Sequence, residues 1–363
     1  MHSTHSLQRF LLGLCLVASL ATMGCTYHYV HTSNAVNQKH YKLTSSHHAA
    51  FAPGTTLDVD TLSGSISVTG TDEPDCHVSA TITGYAPTME EAQELAEKTT
   101  IQLNPVGQTF QVRADIPSTS DNRGVSVSYL VTVPRQANVT LHSAFGSVRI
   151  DTIEGTVNGK TNSGSIEATA IRGTTRIETS YGAITCVDVV GDDIFAHSTS
   201  GSINVMDVEG SAQFETSYGP VTCERFAGKT LTLKSGSGSV KISDSEAPTI
   251  DLSTSYGRVN VSNIITDDLR ATSGSGSVDI VCSPACPADL IARVKSSYGS
   301  VTFTAPSTFA GHVTLSSGYG TVQTDLPVTV TGRIGDKKRI EGAVGQGNGK
   351  IDLQTGSGSV TLR

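Results

Sequence analysis

The 363-residue sequence contains no tryptophan, only 5% aromatic residues and only 16% charged residues, whereas soluble domains average about 25% charged residues. This shortage argues against an ordinary globular enzyme core. The net charge is −8, and no Lys/Arg cluster supplies the positive surface that a nucleic-acid backbone requires. The chain also lacks a phosphate-binding loop and a dinucleotide-binding fingerprint. Nucleic acid is therefore not expected as a partner, and no cofactor is expected.

Small and hydroxylated residues take the place of the missing ones. Serine and threonine make up about a quarter of the chain, and there are 36 glycines. This composition favours turns and polar strands over helices. A hydrophobic fraction of 37% still supplies a core, so wholesale disorder is not expected.

The N-terminus has the layout of an export signal over residues 1–24. The apolar run Phe10–Met23 is too short to span a bilayer, which needs about 20 residues. Cys25 follows at once, and the arrangement resembles a bacterial lipoprotein signal, in which this cysteine carries the lipid. Thr22 departs from that pattern, where leucine is usual, so ordinary signal-peptidase cleavage is the alternative. Either route takes the protein to the cell envelope or exterior, and the first predicts a membrane partner through Cys25.

Residues 25–52 are polar and show no clear apolar period, which predicts a tether between the membrane and the folded part. This segment contains five histidines: His28, His31, His40, His47 and His48. Imidazole is a good ligand for transition metals, but the spacings match no zinc pattern. No metal site is predicted.

A glycine-centred phrase recurs from about residue 141 to the end. Its glycines are Gly146, Gly164, Gly182, Gly201, Gly219, Gly238, Gly257, Gly276, Gly299, Gly320 and Gly358. The near-constant interval between most of them is typical of a solenoid. Val and Ile alternate with polar residues after each glycine, as in half-buried strands. The pattern predicts an all-β fold, a parallel β-solenoid (β-helix) of about 18–19 residues per coil over 141–363, with positive-φ glycines at its corners.

An aromatic residue and a serine alternate in front of the repeat glycines for most of this length. The aromatic members are Phe145, Tyr181, Tyr218, Tyr256, Tyr298 and Tyr319. If they align, rings recur every ~9.6 Å, which is two strand spacings. The five tyrosines are a possible ligand strip, because tyrosine offers an apolar face and a polar tip to a sugar. The alternative is that the rings only seal the corners of the coils.

Residues 53–140 are β-rich but do not keep the period, which predicts an N-terminal cap with the first coils. The segment Thr88–Thr100 predicts the one short helix, with Thr88 and Glu91 as a capping box. A helix across the end of a stack would cover open strand edges.

Two long intervals mark insertions in the repeat. The 23-residue step contains Cys282 and Cys286, and an exported protein favours a disulfide between such a close pair. The 38-residue step predicts a loop over 333–349. Cys186 and Cys223 are predicted core residues.

Catalytic chemistry is not indicated. The adjacent carboxylate pairs Asp192/Asp193 and Asp267/Asp268 lie near turns, whereas a glycosidase needs two carboxylates facing each other across a bond. No nucleophile or metal constellation stands out.

Several features together resemble the putative adhesin family of β-strand-repeat proteins. They are the Gly-Ser-Ile/Val phrases, Val131–Pro134, the early helix and the closing segment 347–360. The resemblance covers roughly residues 53–363 and implies a surface-exposed β-solenoid without assigned catalytic residues. The sequence therefore predicts a non-catalytic binding module of the cell envelope, adhering to a glycan or a protein. A passive envelope scaffold and a carbohydrate-active β-helix enzyme are the alternatives.

Overall fold

The structure is a computed structural model that describes residues 38–52, 54–119, 122–330 and 338–363, together with the backbone of Gly24–Thr26. The predicted export signal, up to residue 23, lies outside the described residues. Within those residues the chain is all-β with one α-helix, and its strands join into a long, mostly parallel sheet. The predicted all-β class is confirmed.

The strands fall into three groups along the chain. The first group contains β1 (Gly24–Thr26), β2 (Lys39–Ala50), β3 (Thr56–Ser63), β4 (Ile66–Thr71), β5 (Asp75–Ala86), α1 (Met89–Lys98), β6 (Thr100–Val106), β7 (Thr109–Asp115) and β8 (Gly124–Pro134). The second contains β9 (Asn138–Phe145), β10 (Val148–Asp151), β11 (Val157–Thr161), β12 (Ile166–Arg172), β13 (Thr175–Thr179), β14 (Ile184–Ser198), β15 (Ile203–Thr216), β16 (Val221–Ser235), β17 (Val240–Glu246), β18 (Thr249–Thr254), β19 (Val259–Ile265), β20 (Asp268–Ser273), β21 (Val278–Cys282), β22 (Ile291–Ser296) and β23 (Val301–Thr304). The third contains β24 (Gly311–Ser317), β25 (Val322–Thr324), β26 (Thr329–Val330), β27 (Arg339–Val344), β28 (Gly349–Thr355) and β29 (Val360–Leu362).

The repeat strands stack in parallel, each on its counterpart from the preceding repeat. Val148 pairs with Ile166 and Ile250 pairs with Leu269, so each residue meets its equivalent one repeat later in the chain. We call each level of this stack a rung. The side chains alternate between buried and more exposed positions, because successive residues of a strand point to opposite faces. The inward side chains of all rungs form one continuous hydrophobic cluster.

The repeat glycines are required by close backbone approach between rungs. A Cβ on Gly201 would lie 1.8 Å from the carbonyl oxygen of Gly182, and a Cβ on Gly182 would lie 1.8 Å from that of Gly164. No side chain fits at such a distance. From Gly146 onward none of these glycines has a positive φ. The expectation of positive-φ glycines at this corner is therefore wrong, and stacking sterics explain the repeat.

A second corner carries the left-handed backbone instead, and mostly without glycine. Seven non-glycine residues, one in each successive repeat, have φ between 51° and 59°: Thr152, Ala170, Asp188, Asp207, Arg225, Asp244 and Asn263. Asp and Asn tolerate this conformation best among residues with a Cβ, and they hold four of the seven positions. Ala170 and Arg225 occupy it at a cost in backbone energy.

The last rungs do not follow the order of the chain. Strand β28 pairs in parallel with β22 on one side and with β24 on the other, so residues 349–355 lie between residues 291–296 and 311–317. Strand β29 similarly lies between β23 and β25. Strand β27 then pairs antiparallel with the outer edge of β24. The predicted loop over 333–349 thus contains strand β27 and the start of β28, while residues 331–337 lie outside the description.

The N-terminal end departs from the repeat through antiparallel pairing. Strand β8 pairs in parallel with β4 and antiparallel with β5, and β5 pairs antiparallel with β2. Residues 39–50, expected to belong to a polar tether, are instead a 12-residue strand of this sheet. The buried side chains of this strand are Leu43, His47 and Ala49, which are four and two residues apart. The polar residues between them mask this alternation in the sequence.

The predicted helix is present as α1 and packs on the N-terminal sheet. Its buried face is formed by Ala92 and Ala96, and a Cβ on Gly84 would lie 2.1 Å from the carbonyl oxygen of Ala92. The Thr88 hydroxyl accepts a hydrogen bond from the Glu91 N–H at 3.2 Å, as the cap predicts. The Glu91 carboxylate pairs with Arg123, an interaction that the sequence did not indicate.

Candidate functional site

The aromatic residues of the repeat lie at one corner, held there by hydrogen bonds between rungs. The Tyr218 N–H donates to the carbonyl of Thr199 at 3.1 Å, and the Ser237 N–H donates to that of Ser217 at 3.0 Å. Equivalent bonds recur in the neighbouring rungs. Each residue before a repeat glycine is thereby placed over its counterpart in the next rung, so that these positions form a column.

The column alternates between aromatic residues and serine over all twelve rungs in which it occurs. In spatial order its members are Ser63, Phe145, Ser163, Tyr181, Ser200, Tyr218, Ser237, Tyr256, Ser275, Tyr298, Ser357 and Tyr319. The sequence interrupts this alternation, because Tyr298 and Tyr319 come one after the other. We call the rung formed by β28 and β29, which lies out of chain order, the displaced rung. It places Ser357 between the two tyrosines, since the Ser357 N–H donates to Ser297 O at 3.1 Å and the Tyr319 N–H donates to Gly356 O at 3.1 Å.

All six aromatic side chains of this column are exposed, to between 60% and 84%. Large aromatic rings are normally buried, so an aligned set of exposed ones distinguishes this corner. Two strand spacings separate successive rings, which gives about 9.6 Å between rings and about 48 Å from the first to the last. We call this set of Phe145 and the five tyrosines the ring column. The alternative that the rings seal the corners does not fit their exposure.

The side chains beside the ring column are mostly small, and nearly all of them are uncharged. The residues before the six rings are Ala144, Ser180, Ser217, Ser255, Ser297 and Gly318, and those after the following glycines are Ser147, Ala183, Pro220, Arg258, Ser300 and Thr321. Only Arg258 carries a charge. At the far end the Lys338 ammonium lies 5.8 Å from the Tyr319 ring centre. A ligand at the ring column therefore meets apolar ring faces bordered by hydroxyl groups.

A line of buried hydroxyl groups lies under the ring column and fixes its geometry. The Thr216 hydroxyl donates to the Gly201 carbonyl at 2.9 Å and accepts from the Gly219 N–H at 3.3 Å, so it joins two rungs. The same pair of bonds is made by Thr161, Thr179, Ser198, Thr216, Ser235, Thr254, Ser273, Ser296, Thr355 and Ser317. We call these ten residues the hydroxyl ladder. Sequence reasoning missed it, although a Ser or Thr stands three residues before each of these glycines.

The cysteine pair of the inserted loop is buried, and its two sulfur atoms interact. Cys282 and Cys286 are buried free thiols in the structure. The interaction between the two thiols lowers the pKa of Cys286, while it raises the pKa of Cys282 together with burial. The Cys286 thiol also lies 3.0 Å from the carbonyl oxygen of Ile264. By contrast, burial raises the pKa of Cys186 to about 12, as for a core residue.

One carboxylate of each adjacent pair considered for catalysis is engaged in a surface ion pair. Asp192 lies 3.3 Å from the Lys229 ammonium, and Asp268 lies 2.9 Å from the Arg293 guanidinium. Over the described parts of the chain, His, Cys, Asp and Glu side chains form no group of three or more that could hold a metal ion.

The predicted lipidation site lies at the N-terminal end of the sheet. Strand β1, which includes Cys25, pairs antiparallel with β2. Residues 1–23 of the predicted export signal lie outside the described residues. In the part of the chain that the structure covers, no helix has the length and apolarity needed to cross a membrane.

The fold and its exposed edge define a β-repeat protein built from stacked, mostly parallel strands. Residues 192–363 match the family model described as Toastrack DUF4097. The resemblance to a β-strand-repeat family is thereby confirmed there. No curated protein matches the chain.

Solved structures similar to this chain include the following two. One is described as a "putative cell adhesion protein" from Clostridium sporogenes ATCC 15579, with 9% identity, a TM-score of 0.23, and coverage of 88% of this chain and 98% of that one. The other is described as a "putative adhesin" from Bacteroides fragilis NCTC 9343, with 13% identity, a TM-score of 0.25, and coverage of 88% and 97%. Neither description states a ligand.

Proposed function

We propose that the protein is a β-solenoid with one sequence repeat per coil that serves as a non-catalytic binding module of the cell envelope. The pairing of Val148 with Ile166 and of Ile250 with Leu269 supports a coil of about 18–19 residues, the length of one repeat. Residues 53–140 form its N-terminal cap, which includes α1. A rod of this kind presents one long edge of fixed geometry to its surroundings.

The ring column is the binding surface, and a surface glycan is its ligand. The observation that carries this proposal is the set of six aligned, exposed aromatic rings on a rigid scaffold. Exposed rings cost solvation free energy that a ligand recovers on contact, and a tyrosine ring stacks on the apolar face of a sugar. The serines that directly precede the rings, such as Ser180 and Ser217, supply hydrogen bonds to sugar hydroxyls.

Export and lipid attachment at Cys25 place the module on a bacterial membrane. The export-signal pattern of residues 1–24 supports this part of the proposal. The Cys25→Ser variant is expected to move from the membrane fraction to the soluble envelope fraction. Retention of that variant in the membrane fraction would argue for another anchor.

Cys282 and Cys286 form a disulfide once the protein is exported. The two thiols interact within one buried loop, and the lowered pKa of Cys286 favours the thiolate that starts exchange. Oxidation removes two protons and two electrons from the pair and passes the electrons to a disulfide oxidant of the envelope. Mass spectrometry of protein from the envelope is expected to show a mass two hydrogens lower than that of the reduced chain. Two free thiols in that material would contradict the assignment.

A glycan array tests the proposed function directly. The mature chain is compared with the triple variant Tyr181→Ala, Tyr218→Ala and Tyr256→Ala, and with a control in which Ser163, Ser200 and Ser237 become alanine. The tyrosine variant is expected to lose binding, and the serine control to keep most of it. Unchanged binding after loss of the tyrosines would leave the scaffold role as the better account.

A further inference from the structure

The repeat of the ring column defines a length as well as a surface. The displaced rung inserts Ser357 between Tyr298 and Tyr319, so all five intervals between successive rings are two rungs long. The rung spacing is fixed by the backbone hydrogen bonds of the sheet and by the hydroxyl ladder. A ligand that contacts several rings at once must therefore repeat every ~9.6 Å along the stack.

Linear glycans with β-1,4 linkages have a repeat of this kind. In the extended chain each sugar is turned over relative to its neighbour, so the same sugar face recurs at every second unit. Two linked pyranose rings are close in length to two rungs of the stack. An α-1,4-linked chain curves into a helix. It therefore contacts the first rings and then turns away from those that follow along the stack.

The charge of the surface beside the ring column narrows the class of glycan further. One charged residue, Arg258, stands among the twelve flanking positions, and the whole chain has a net charge of −8. A strongly acidic polysaccharide would meet repulsion from the protein and little compensation at the binding edge. An uncharged glycan meets no such electrostatic repulsion.

Resting on the proposed function, we infer that the ring column binds an uncharged, linear β-1,4-linked glycan that lies along the rod, with one disaccharide for each ring. Successive disaccharides then bind as linked sites, and affinity grows with the number of rings reached.

A length series tests this inference with defined probes. The mature chain carrying Cys25→Ser is titrated with β-1,4-linked N-acetylglucosamine oligomers of two, four and six sugars, and with α-1,4-linked glucose oligomers of the same lengths. Each added disaccharide of the β series is expected to tighten binding about three- to ten-fold. The α series is expected to show no such increase.

A composition-matched variant tests the spacing itself. Tyr218→Ser combined with Ser237→Tyr moves one ring by one rung, so that it lies three rungs from Tyr181 and one from Tyr256. The number of rings is unchanged, but the repeat is broken. Every run of four consecutive rings includes Tyr218, so binding of an eight-sugar β oligomer is expected to weaken about three- to ten-fold, as for Tyr218→Ser alone. Thermal unfolding of each variant verifies that the stack is intact.

The outcomes separate this inference from the proposed function. Wild-type affinity in the double variant would overturn the spacing requirement, while loss of binding in the triple alanine variant would still support the ring column as the glycan surface. Unchanged binding in the triple variant would overturn both. A wild-type dimer that dissociates when the rings are removed, without oligomer binding, would show that the column joins two copies of the chain.

Discussion

The backbone N–H of Tyr319 donates a hydrogen bond to the carbonyl of Gly356 at 3.1 Å. This contact joins two rungs that are separated by an entire hairpin in the chain. It shows that the final residues, 349–362, are internal to the stack.

Removal of residues 349–363 is therefore expected to disrupt more than the end of the protein. Strands β22 and β24 would both lose their common partner, β28. Hydrogen exchange is expected to lose protection over residues 291–304 as well as 311–324. If β22 kept its full protection in the truncated chain, the observed strand order would be contradicted.

The hydroxyl ladder predicts a specific cost for a substitution that conserves shape. Thr216→Val leaves the Gly201 carbonyl and the Gly219 N–H without their partner in a buried corner. The expected loss in the free energy of unfolding is about 1–3 kcal/mol, measured by urea denaturation. Thr216→Ser keeps the hydroxyl and serves as the control, with a smaller loss from the missing methyl group. Equal losses in both variants would show that the hydrogen bonds contribute little.

The left-handed corner predicts a stabilising substitution. Ala170 has φ 53°, a conformation that glycine adopts without strain. Ala170→Gly is expected to raise the free energy of unfolding by about 1 kcal/mol. Asn263→Ala, at the equivalent position with φ 54°, is expected to lower the free energy of unfolding by about 1 kcal/mol or more, because it also removes the hydrogen bond that the Asn263 side-chain amide donates to Asp244 at 2.7 Å. Thermal unfolding of both variants checks the two signs together.

The buried histidine of β2 predicts a pH dependence. Burial lowers the pKa of His47 below its usual value of 6.5, and its Nδ1 atom has no hydrogen-bond partner. The unfolded state therefore binds the proton more readily, so stability should fall as the pH drops through 6.5 toward the lower pKa of the folded state. The His47→Gln variant should lose less stability than the wild type between about pH 7.5 and pH 5. Identical pH profiles of the two proteins would contradict the assignment.

The fold class, the helix and the aromatic alternation could be predicted because each depends on residues close in sequence. The fold class, for instance, follows from the repeat glycines, because glycines equivalent to Gly201 recur along the chain at a nearly constant spacing. The reason for those glycines could not be predicted, because it depends on the carbonyl oxygen of the preceding rung. The same holds for the hydroxyl ladder, because each hydroxyl donates to a carbonyl of the neighbouring rung, as Thr216 does to Gly201.

The position of the last rung and the role of β2 also depend on distant contacts. Local sequence predicts a strand over 349–355 equally well at either end of the stack, and only the pairing with β22 and β24 decides between them. For β2, the polar residues that mark a tether in the sequence are the outward members of a strand. The candidate ligand strip was predicted residue by residue, but its unbroken repeat became visible only in the structure.

The displaced rung has a consequence for how the protein is made. A chain that is synthesised from its N-terminus can add rungs in the order in which they are made as far as β23. The rung that is made next, residues 311–324, finds its parallel neighbour only when residues 349–363 have emerged. The edge of the growing stack at β22 and β23 therefore stays open until those residues are available to cover it.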